Sequence, residues 1–505
     1  MKFARQVASR AVLVLLLAAL NAQAQAPTPS FSLLGYLQEI DVTNLADDPL
    51  SQGTLVVNGI SVVLPRNLYI TMPGQYLTVN DLFRGKQPGT AKTKLQDPVK
   101  PSGLALKDVN RPPIPFEVDI IGNIVGDKYI AGVVHITQQG LNVGAGFIRS
   151  IDYAKGELLV GPETLGTPTA RVRINDPSGV YGHANAAKIG GVAFDDRFGS
   201  DPNNAPIAAN TGFPMCLPRV APPANDVKCP LTNRAPETGP SLGRRFTCGT
   251  VAAEPTAPPH APCQPGRPAP LKVGDYIAFN GMMTEDSPGS GTFFHAAHAM
   301  QVLAGIYTSP GANPAYVFIE EALMGTLGDP WPGIDQEQTS RFRLVGFVTD
   351  PSRRVDVFLV DRDVPNGERR LTTLQPSGVA QIGRIRVTLP AKSNFLPLTR
   401  DVRIRIEGLP EFTGSGLAQG QYTAPVGEYI YPENTRFGRP RSPVGVPFEN
   451  FCFLKNGGEH LSTLGRDALA EASRPVVGAL DPFPYSSQPS PRNAQVRADG
   501  TPSCP

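Results

Sequence analysis

Hydrophobic and polar residues alternate in short runs along most of the chain, which is the pattern of half-buried β-strands. Examples are GTLVVNGISVVLP at residues 53–65 and ARVRIND at residues 170–176. In the first run, Asn58 and Gly59 separate two apolar segments, and both residue types accept positive φ, so a hairpin turn is predicted there. Helical periodicity is scarce, and its best example is LGRDALAEAS at residues 464–473. The pattern therefore predicts a mainly β chain.

Two segments share one heptad pattern. Residues 35–41 are GYLQEID and residues 146–152 are GFIRSID, and both are followed by further short strand-like runs. In an extended chain the aromatic residue and the isoleucine of each heptad share a face, although their i, i+4 spacing also suits the start of a helix. We interpret the heptads as the first strands of a repeated β unit, so residues 33–136 and 144–303, without the insertion, should correspond strand for strand. The alternative is that this short pattern recurs by chance in a strand-rich sequence. A third, weaker copy begins with GFVTDPSRRVDVFLVD at residues 346–361.

Three glycines support a barrel interpretation. Gly122, Gly281 and Gly408 each follow an alternating run, where a glycine permits a β-bulge or a sharp bend. Units of about five short strands with such a bend suit small OB-like or Greek-key barrels. The predicted fold class is mainly β, with tandem OB-like/Greek-key small barrels and a long, disulfide-stapled, proline-rich insertion. The predicted divisions are a signal peptide (1–24), a first OB-like unit (25–143), a second OB-like unit (144–305) with its insertion at about 185–268, a third β unit (306–430) and a proline-rich C-terminal tail (431–505).

The first residues predict export. A basic segment with Lys2, Arg5 and Arg10 precedes the apolar run AVLVLLLAAL at residues 11–20, and Ala22-Gln23-Ala24 forms a small-x-small cleavage site. The apolar run is shorter than the roughly 20 residues that span a bilayer, and no later segment has a transmembrane pattern. We therefore expect a soluble protein that is secreted or periplasmic, without integral membrane association.

Composition and cysteine content agree with this expectation. The chain has 53 prolines, 51 glycines and 18% charged residues, which suits many short strands joined by tight turns. The net charge of +2 points to no partner class. An even number of cysteines in an exported chain favours disulfides, whose connectivity the sequence leaves open. Proximity favours the pairs Cys216–Cys229, Cys248–Cys263 and Cys452–Cys504.

Three segments carry a resemblance to a known group of proteins. NTGFPMCLPR at residues 210–219, GFVTDPSRRVDVFLVD at 346–361 and PVGEYIYPE at 425–433 resemble parts of an uncharacterised family of large secreted β-rich proteins of fungi and bacteria. The likeness covers most of residues 145–455, and the repeat unit resembles small OB-like domains of exported bacterial proteins. The resemblance implies a secreted β-rich fold, and it supplies no catalytic residues.

Alternating arginines are the first candidate for ligand binding. In RFRLVGF, GRIRV and RDVRIRIE, alternation places six apolar residues inward and six arginines outward. If the strands are neighbours, their guanidinium groups line one face that can bind a polyanion such as an acidic polysaccharide. The alternative is a solvated face balanced by nearby Asp and Glu residues. The chosen ligand-binding residues are Arg343, Arg386 and Arg405, together with Trp331 of GDPWPG, which is either a stacking platform for a sugar ring or a loop anchor.

Two further groups raise metal binding as an alternative. His295 and His298 would share a face on a helix and could then hold a metal, but on a strand they point to opposite faces. We interpret TFFHAAHAMQV at residues 292–302 as a strand and expect no metal site. In the insertion, acidic and amide residues are candidates for structural calcium or, alternatively, for turn formation: Asp176, Asp195, Asp196, Asp201, Asn203 and Asn204.

The usual catalytic signatures are missing from the sequence. G-x-S-x-G, S-x-x-K, H-E-x-x-H, Walker and dinucleotide-binding motifs do not occur, although triads and carboxylate pairs also assemble from distant residues. We therefore expect an exported, non-catalytic binding or surface-associated protein that recognises an acidic polysaccharide or another polyanion, with no cofactor and no nucleic-acid partner. The alternative is a secreted enzyme acting on a polymeric or phenolic substrate near the insertion. The oligomeric state stays open.

Overall fold

The computed structural model of the chain describes 27 strands, one four-residue helix and the turns between them. The described residues are 30–44, 48, 50–71, 76–83, 102–108, 115–137, 142–164, 166–167, 170–174, 207–218, 222, 226, 229–234, 237, 244–249, 263–327, 337–360, 368–378, 381–389, 401–409, 421–425, 428–432, 435–436, 439–440 and 478–484. The mainly β prediction is confirmed. The predicted signal peptide and the helical pattern at 464–473 lie outside these residues.

The elements follow in chain order. They are β1 (Ser30–Val42), β2 (Gly53–Val57), β3 (Ile60–Leu64), β4 (Tyr69–Thr71), β5 (Tyr76–Thr78), α1 (Val79–Leu82), β6 (Glu117–Val125), β7 (Lys128–Thr137), β8 (Asn142–Asp152), β9 (Glu157–Gly161), β10 (Ala170–Ile174), β11 (Ile207–Ala209), β12 (Met215–Cys216), β13 (Arg244–Cys248), β14 (Ala269–Pro270), β15 (Tyr276–Glu285), β16 (Phe293–Val302), β17 (Ala304–Thr308), β18 (Val317–Leu327), β19 (Glu337–Val348), β20 (Val355–Val360), β21 (Glu368–Leu374), β22 (Arg384–Leu389), β23 (Asp401–Ile406), β24 (Gln421–Pro425), β25 (Glu428–Pro432), β26 (Thr435–Arg436) and β27 (Arg439–Pro440).

The first five-stranded barrel, barrel 1, has the order β1-β2-β3-β7-β6, in which β6 also pairs with β1, and it is closed by the pairing of β3 with β7. Neighbouring strands are antiparallel except β3 and β7, which run parallel. The hairpin between β2 and β3 turns at Asn58 and Gly59, whose φ values are 53° and 76°, as the sequence predicts. This order is that of an OB-like Greek-key barrel.

The second barrel, barrel 2, repeats this topology with the order β8-β9-β10-β16-β15. Its closing pair, β10 and β16, is again parallel. In each barrel one further short strand pairs in parallel with the last barrel strand. These pairs are β4 with β7 and β11 with β16. The strand orders of the two barrels therefore correspond one to one.

The two heptads are strands in both barrels, so the helical alternative is wrong. GYLQEID lies in β1 and GFIRSID lies in β8, and each contains a β-bulge at the same heptad position, Gln38 and Arg149. The preceding residues, Leu37 and Ile148, are fully buried. The shared pattern thus marks a strand that bends where its barrel must curve.

Gly122 and Gly281 lie at equivalent register shifts in the two barrels. A Cβ atom on Gly122 would lie 2.1 Å from the carbonyl oxygen of Ile130, and one on Gly281 would lie 2.1 Å from that of Ala296. Only glycine allows this close approach, so the predicted bulges are confirmed there. Gly408 differs, because it adopts a φ of 76° in the turn after β23.

The third unit is a two-sheet sandwich, and its prediction as a third barrel copy is wrong. One sheet has the order β22-β19-β18-β25 and the other the order β21-β20-β23-β24, the arrangement of immunoglobulin-like sandwiches. The inward side chains are those that alternation predicts, and all are buried: Phe342, Leu344, Ile385, Val387, Ile404 and Ile406. Alternation specifies the buried face of each strand, but the same alternation fits a closed barrel or two facing sheets.

The insertion packs onto barrel 2 and is stapled as predicted. The disulfides Cys216–Cys229 and Cys248–Cys263 are both present, whereas Cys452 and Cys504 lie outside the described residues. Phe213 and Phe246 of the insertion share a hydrophobic core with barrel 2. Each loop of about 15 residues closed by a disulfide contributes about 3 kcal/mol in the chain-entropy model.

A buried ion pair also joins the insertion to barrel 2. Arg234 donates from Nη1 and Nη2 to the two carboxylate oxygens of Asp275, at 2.6 Å each. The side chains of Arg234 and Asp275 are 0% and 2% exposed. Arg234 also donates to the carbonyl oxygen of Pro270 at 2.8 Å and pairs with Glu237. Removing one partner would leave an uncompensated buried charge, which is costly.

We predict that Asp275→Asn lowers the free energy of unfolding by about 3–5 kcal/mol, because Arg234 keeps its charge in a buried site without the carboxylate that compensates it. Urea denaturation with the disulfides intact measures this change. Glu39→Gln is the control, because Glu39 pairs with Lys107 at the surface, where the side chains are 38% and 69% exposed, and such pairs contribute about 0–1 kcal/mol. Equal losses in the two variants would contradict the prediction.

Candidate functional site

Two arginines and two carboxylates meet on the outer face of barrel 2. Arg171 and Arg173 lie on β10, Glu157 opens β9 opposite Arg173, and Asp286 directly follows β15. We name Glu157, Arg171, Arg173 and Asp286 the arginine–carboxylate cluster. Because Val172 and Ile174 between and beside the arginines are buried in the barrel core, strand alternation turns both arginines outward.

Hydrogen bonds hold every member of the cluster in place. Arg171 binds Glu157 through two nitrogens, with Nε to Oε1 at 2.9 Å and Nη2 to Oε2 at 2.7 Å. Arg173 donates to Glu157 Oε2 at 2.9 Å and to Asp286 Oδ1 at 2.6 Å. Arg171 also donates to Asp286, which accepts a further bond from the Thr292 hydroxyl at 3.1 Å. The two guanidinium groups are therefore fixed before any ligand arrives.

An aromatic ring supports one of these guanidinium groups. The Cζ atom of Arg173 lies 4.1 Å from the centroid of the Phe294 ring, within cation–π range. Phe294 forms a small buried cluster with Met282 and Ala296. Arg173 and Asp286 keep 24% and 27% of their side-chain surface exposed, so the cluster is accessible from solvent.

The charges of the cluster stabilise one another. The hydrogen bond from Arg171 lowers the pKa of Asp286, burial opposes this, and the bond from Arg173 adds to it, giving a pKa of about 2. Burial raises the pKa of Glu157, but hydrogen bonds from Arg171 and Arg173 outweigh it and hold the pKa below its usual value. The same bonds raise the pKa of Arg171. At neutral pH all four groups are charged and the cluster is balanced.

Barrel 1 shows that the fold does not require these charges. The closing pairs Val62–Tyr129 and Val172–His295 occupy the same place in the two barrels. When the two barrels are aligned on these closing pairs, Glu157 and its partner Arg173 take the places of Thr54 and its partner Val63. At these two positions barrel 1 therefore has uncharged residues where barrel 2 has an ion pair, which favours a role for the pair beyond barrel closure.

The position of the cluster is one that OB-like barrels use for ligands. Such barrels bind oligosaccharides and oligonucleotides on the face of strands 2 and 3 and on the loops that follow strands 1 and 4. In barrel 2, β9 and β10 are strands 2 and 3, and Asp286 opens the loop after strand 4. Oriented guanidinium groups can there bind carboxylate, sulfate or hydroxyl oxygens.

The structure separates the arginines chosen from the sequence. Arg343 and Arg386 lie on adjacent strands, β19 and β22, of one sandwich sheet. Arg405 lies on β23 in the other sheet, so the expected single arginine face is wrong. The two sheets bury the intervening apolar residues between them, and their outer faces point in opposite directions. Trp331 lies outside the described residues.

The sandwich arginines contact neighbouring side chains or are buried. The Cζ atom of Arg405 lies 4.8 Å from the ring centroid of Phe358, and Arg405 is opposite Asp356 across the strands. Arg403, which alternation places outward, is fully buried. In the first sheet Arg343 forms an ion pair with Glu321.

The histidine segment is a strand, as the sequence predicts. His295 lies on β16, half-buried, with its ring 5.2 Å from that of Phe279, and burial lowers its pKa. His298 lies at the bulge opposite Gly281. His135 is on the equivalent strand β7, where its antiparallel partner is Asp119. In the part of the chain that the structure describes, no group of three His, Cys, Asp or Glu side chains could hold a metal ion. The calcium candidates of the insertion lie outside that part.

Sequence reasoning treated ARVRIND only as a strand and missed the cluster. The available signal was the Arg-x-Arg spacing at residues 171–173, the same pattern that drew attention to the sandwich strands. Its partner Asp286 is 113 residues from Arg173 in the chain, so local sequence could not reveal the pairing.

Comparison with protein-family models, curated proteins and solved structures gives no match to this chain. Among the described residues, no helix has the length and apolar character needed to cross a membrane. The interpretation of the cluster therefore depends on its own geometry.

We predict that Asp286 titrates with a pKa of about 2, below its usual value of 3.8. Because the folded-state pKa is the lower one, the pairing stabilises the fold above about pH 4, and this contribution is lost as the pH falls through about 2. Carboxyl carbon NMR measures the titration. Arg171→Gln should raise the pKa of Asp286, and an unchanged value would contradict the assigned hydrogen bonds.

Proposed function

We propose that this chain is an exported, non-catalytic binding protein that recognises an acidic polysaccharide through the arginine–carboxylate cluster of barrel 2. The observation that carries the proposal is the pair of oriented, part-exposed guanidinium groups on the barrel face that OB-like proteins use for ligands. The Glu157–Arg173 pair of the cluster corresponds to the uncharged Thr54–Val63 pair of barrel 1.

The chemistry of arginine favours an acidic ligand. A guanidinium group presents planar donors that match the oxygens of a carboxylate or sulfate, whereas lysine offers a point charge. Within the described residues, Nη1 of Arg173 takes no part in the bonds to Glu157 and Asp286. Since these carboxylates hold the guanidinium group in place, a ligand would bind without the entropy cost of ordering a long side chain.

Two features support the proposed export of the protein. Two disulfides indicate an oxidising environment, as found in extracellular or periplasmic proteins. The N-terminal sequence has the pattern of a secretory signal peptide. We also propose that barrels 1 and 2 are copies of one repeated unit, because their strand orders and bulges correspond. Membership in the secreted β-rich family stays a prediction.

We predict that Arg173→Lys binds immobilised polygalacturonate about tenfold more weakly than the wild type. The variant keeps the charge but loses the planar donors, and a charge-assisted hydrogen bond contributes about 1.5 kcal/mol, equivalent to tenfold in affinity. The measurement is the dissociation constant at fixed ionic strength, with the salt needed for elution as a second readout.

Arg386→Lys is the matched control, because it makes the same exchange at an exposed arginine of the sandwich strand β22. It should bind as the wild type does. Arg173→Lys should lose some thermal stability, because it gives up part of its bonding to Glu157 and Asp286, and both variants should be folded at the temperature of the binding measurement. Wild-type affinity in Arg173→Lys would contradict the proposal. An equal loss in Arg386→Lys would move the binding surface to the sandwich.

A further inference from the structure

One end of barrel 1 is covered by an aromatic ring that has no counterpart at the same position of barrel 2. In barrel 1, Phe31 of β1 is the antiparallel partner of the bulge glycine Gly122. In barrel 2, the partner of the equivalent bulge glycine, Gly281, is Asn142 of β8. The heptads agree with this correspondence, because they start at residues 35 and 146, four residues after Phe31 and Asn142. Asn142 therefore occupies the place at which barrel 1 has a phenyl ring.

The ring of Phe31 packs tightly in barrel 1. Two of its carbon atoms would lie 2.6 and 2.7 Å from a Cβ atom placed on Gly122. Its centroid lies 5.0 Å from that of Tyr129, in an edge-to-face arrangement. Phe31 is 7% exposed and belongs to the hydrophobic core, and Ile124, the partner of Tyr129, packs against the same core. One aromatic ring thus covers the apolar end of this barrel.

The same end of barrel 2 exposes its apolar side chains. The three heavy atoms nearest to a Cβ atom placed on Gly281 are all backbone atoms of β16, so among the described residues no side chain lies over Gly281 as closely as Phe31 lies over Gly122. Met283, which corresponds to Ile124, is 48% exposed. Phe293 of β16 is 50% exposed. An apolar surface of about one ring in width therefore remains at this end.

Phe279 fills a different space. It is the partner of Gly144, and a Cβ atom placed on Gly144 would lie 2.4 Å from its Cζ atom. In barrel 1 the corresponding partners are Leu33 and Ile120. The ring of Phe279 therefore occupies the volume of the missing Leu33 side chain, and the position of Phe31 lies two residues further along the strand.

His295 supplies a polar atom at the same end of barrel 2. It lies opposite Met283 and corresponds to Tyr129, because the closing pairs of the two barrels correspond. Its Nδ1 atom is buried and has no hydrogen-bond partner among the described residues, whereas buried polar atoms in folded proteins normally have one. Burial lowers the pKa of His295, and a neutral imidazole has one donor and one acceptor nitrogen. A hydroxyl group can bond to either kind of nitrogen.

These groups lie on the inward face of the strands. Phe293, His295 and Ala297 alternate along β16, and Ala297 belongs to the barrel core. Arg173 of the arginine–carboxylate cluster is the partner of Ala296, on the opposite face. The apolar end and the cluster are therefore separate surfaces.

We propose that this end of barrel 2 binds a small phenol, whose ring takes the place that Phe31 fills in barrel 1. The ring packs on Gly281, Met283 and Phe293, and its hydroxyl group bonds to Nδ1 of His295. Barrel 1 indicates the aromatic ring, because a phenyl group completes the equivalent surface there. The unpartnered Nδ1 atom indicates the hydroxyl group. The site goes beyond polysaccharide recognition and does not depend on it.

The test is an NMR titration of the full chain, labelled at the methionine methyl groups and the histidine nitrogens, with para-cresol at neutral pH. The Met283 methyl signal, assigned with Met283→Leu, should shift in a saturable way, because a bound aromatic ring lies against it. The Nδ1 signal of His295 should shift in parallel. Toluene has the same ring without the hydroxyl group and should move the Met283 signal alone. A Met283 shift without any response of Nδ1 to para-cresol would contradict the assignment to a phenol.

Three variants locate the site. Asn142→Phe gives barrel 2 the ring that barrel 1 has at this position, and it should weaken para-cresol binding about tenfold or more, because two rings cannot share one space. Val143→Phe is the matched control, because it adds the same ring at the next residue, which is 64% exposed, and it should bind as the wild type does. Phe293→Ala, at an exposed position that the fold tolerates, should weaken binding about threefold through lost apolar contact.

The proposal would be overturned by a wild-type chain whose Met283 signal does not respond to para-cresol. Wild-type affinity in both Asn142→Phe and Phe293→Ala, or an equal loss in Val143→Phe, would also overturn it. Retention on polygalacturonate serves as the check on the other site, because none of these variants changes the arginine–carboxylate cluster.

Discussion

Asp275 joins three parts of the molecule, and the geometry of barrel 2 depends on its buried pair with Arg234. Its carboxylate binds Arg234 of the insertion, and its carbonyl oxygen accepts the N–H of Ile148 at the bulge of the second heptad. It directly precedes β15, whose register sets where Asp286 emerges beside β10. A buried pair of this kind adds little net stability compared with apolar packing, but it permits few alternative arrangements. The position of the arginine–carboxylate cluster therefore follows from an interaction in the interior.

Much of the fold follows from local pattern. Alternation identifies the inward residues of the sandwich strands, such as Phe342 and Ile404. The hairpin at Asn58 and the two insertion disulfides also follow from local signals. The division of the third unit into two sheets does not follow from local pattern, because contacts between distant segments determine which strands pair. In barrels 1 and 2 the last strand pairs in parallel with the third strand and so closes the barrel. In the sandwich, β18 and β20 belong to two separate sheets. The local pattern of these strands is the same in both cases.

The candidate site was less predictable for the same reason. Arginines at alternate positions occur on β10 and on the sandwich strands alike. What distinguishes Arg171 and Arg173 is the convergence of Glu157, Asp286 and the Phe294 ring, which the chain brings together only through barrel closure. Among the arginines chosen from the sequence, Arg405 packs on Phe358 in the opposite sheet from Arg343 and Arg386, so these three do not converge on one face. The number of alternating arginines in the sequence favours the sandwich as the binding site, whereas the arrangement of the side chains favours barrel 2.

The most direct test of the binding face is hydrogen–deuterium exchange of the whole chain with and without an oligogalacturonate. The account predicts slower exchange in β9, β10 and the loop at residues 286–292 on addition of the oligosaccharide, because a bound ligand would restrict opening of these segments. The sandwich strand β22 should exchange at the same rate in both samples. Protection confined to β22, or no protection at all under conditions where the chain is retained on polygalacturonate, would contradict it.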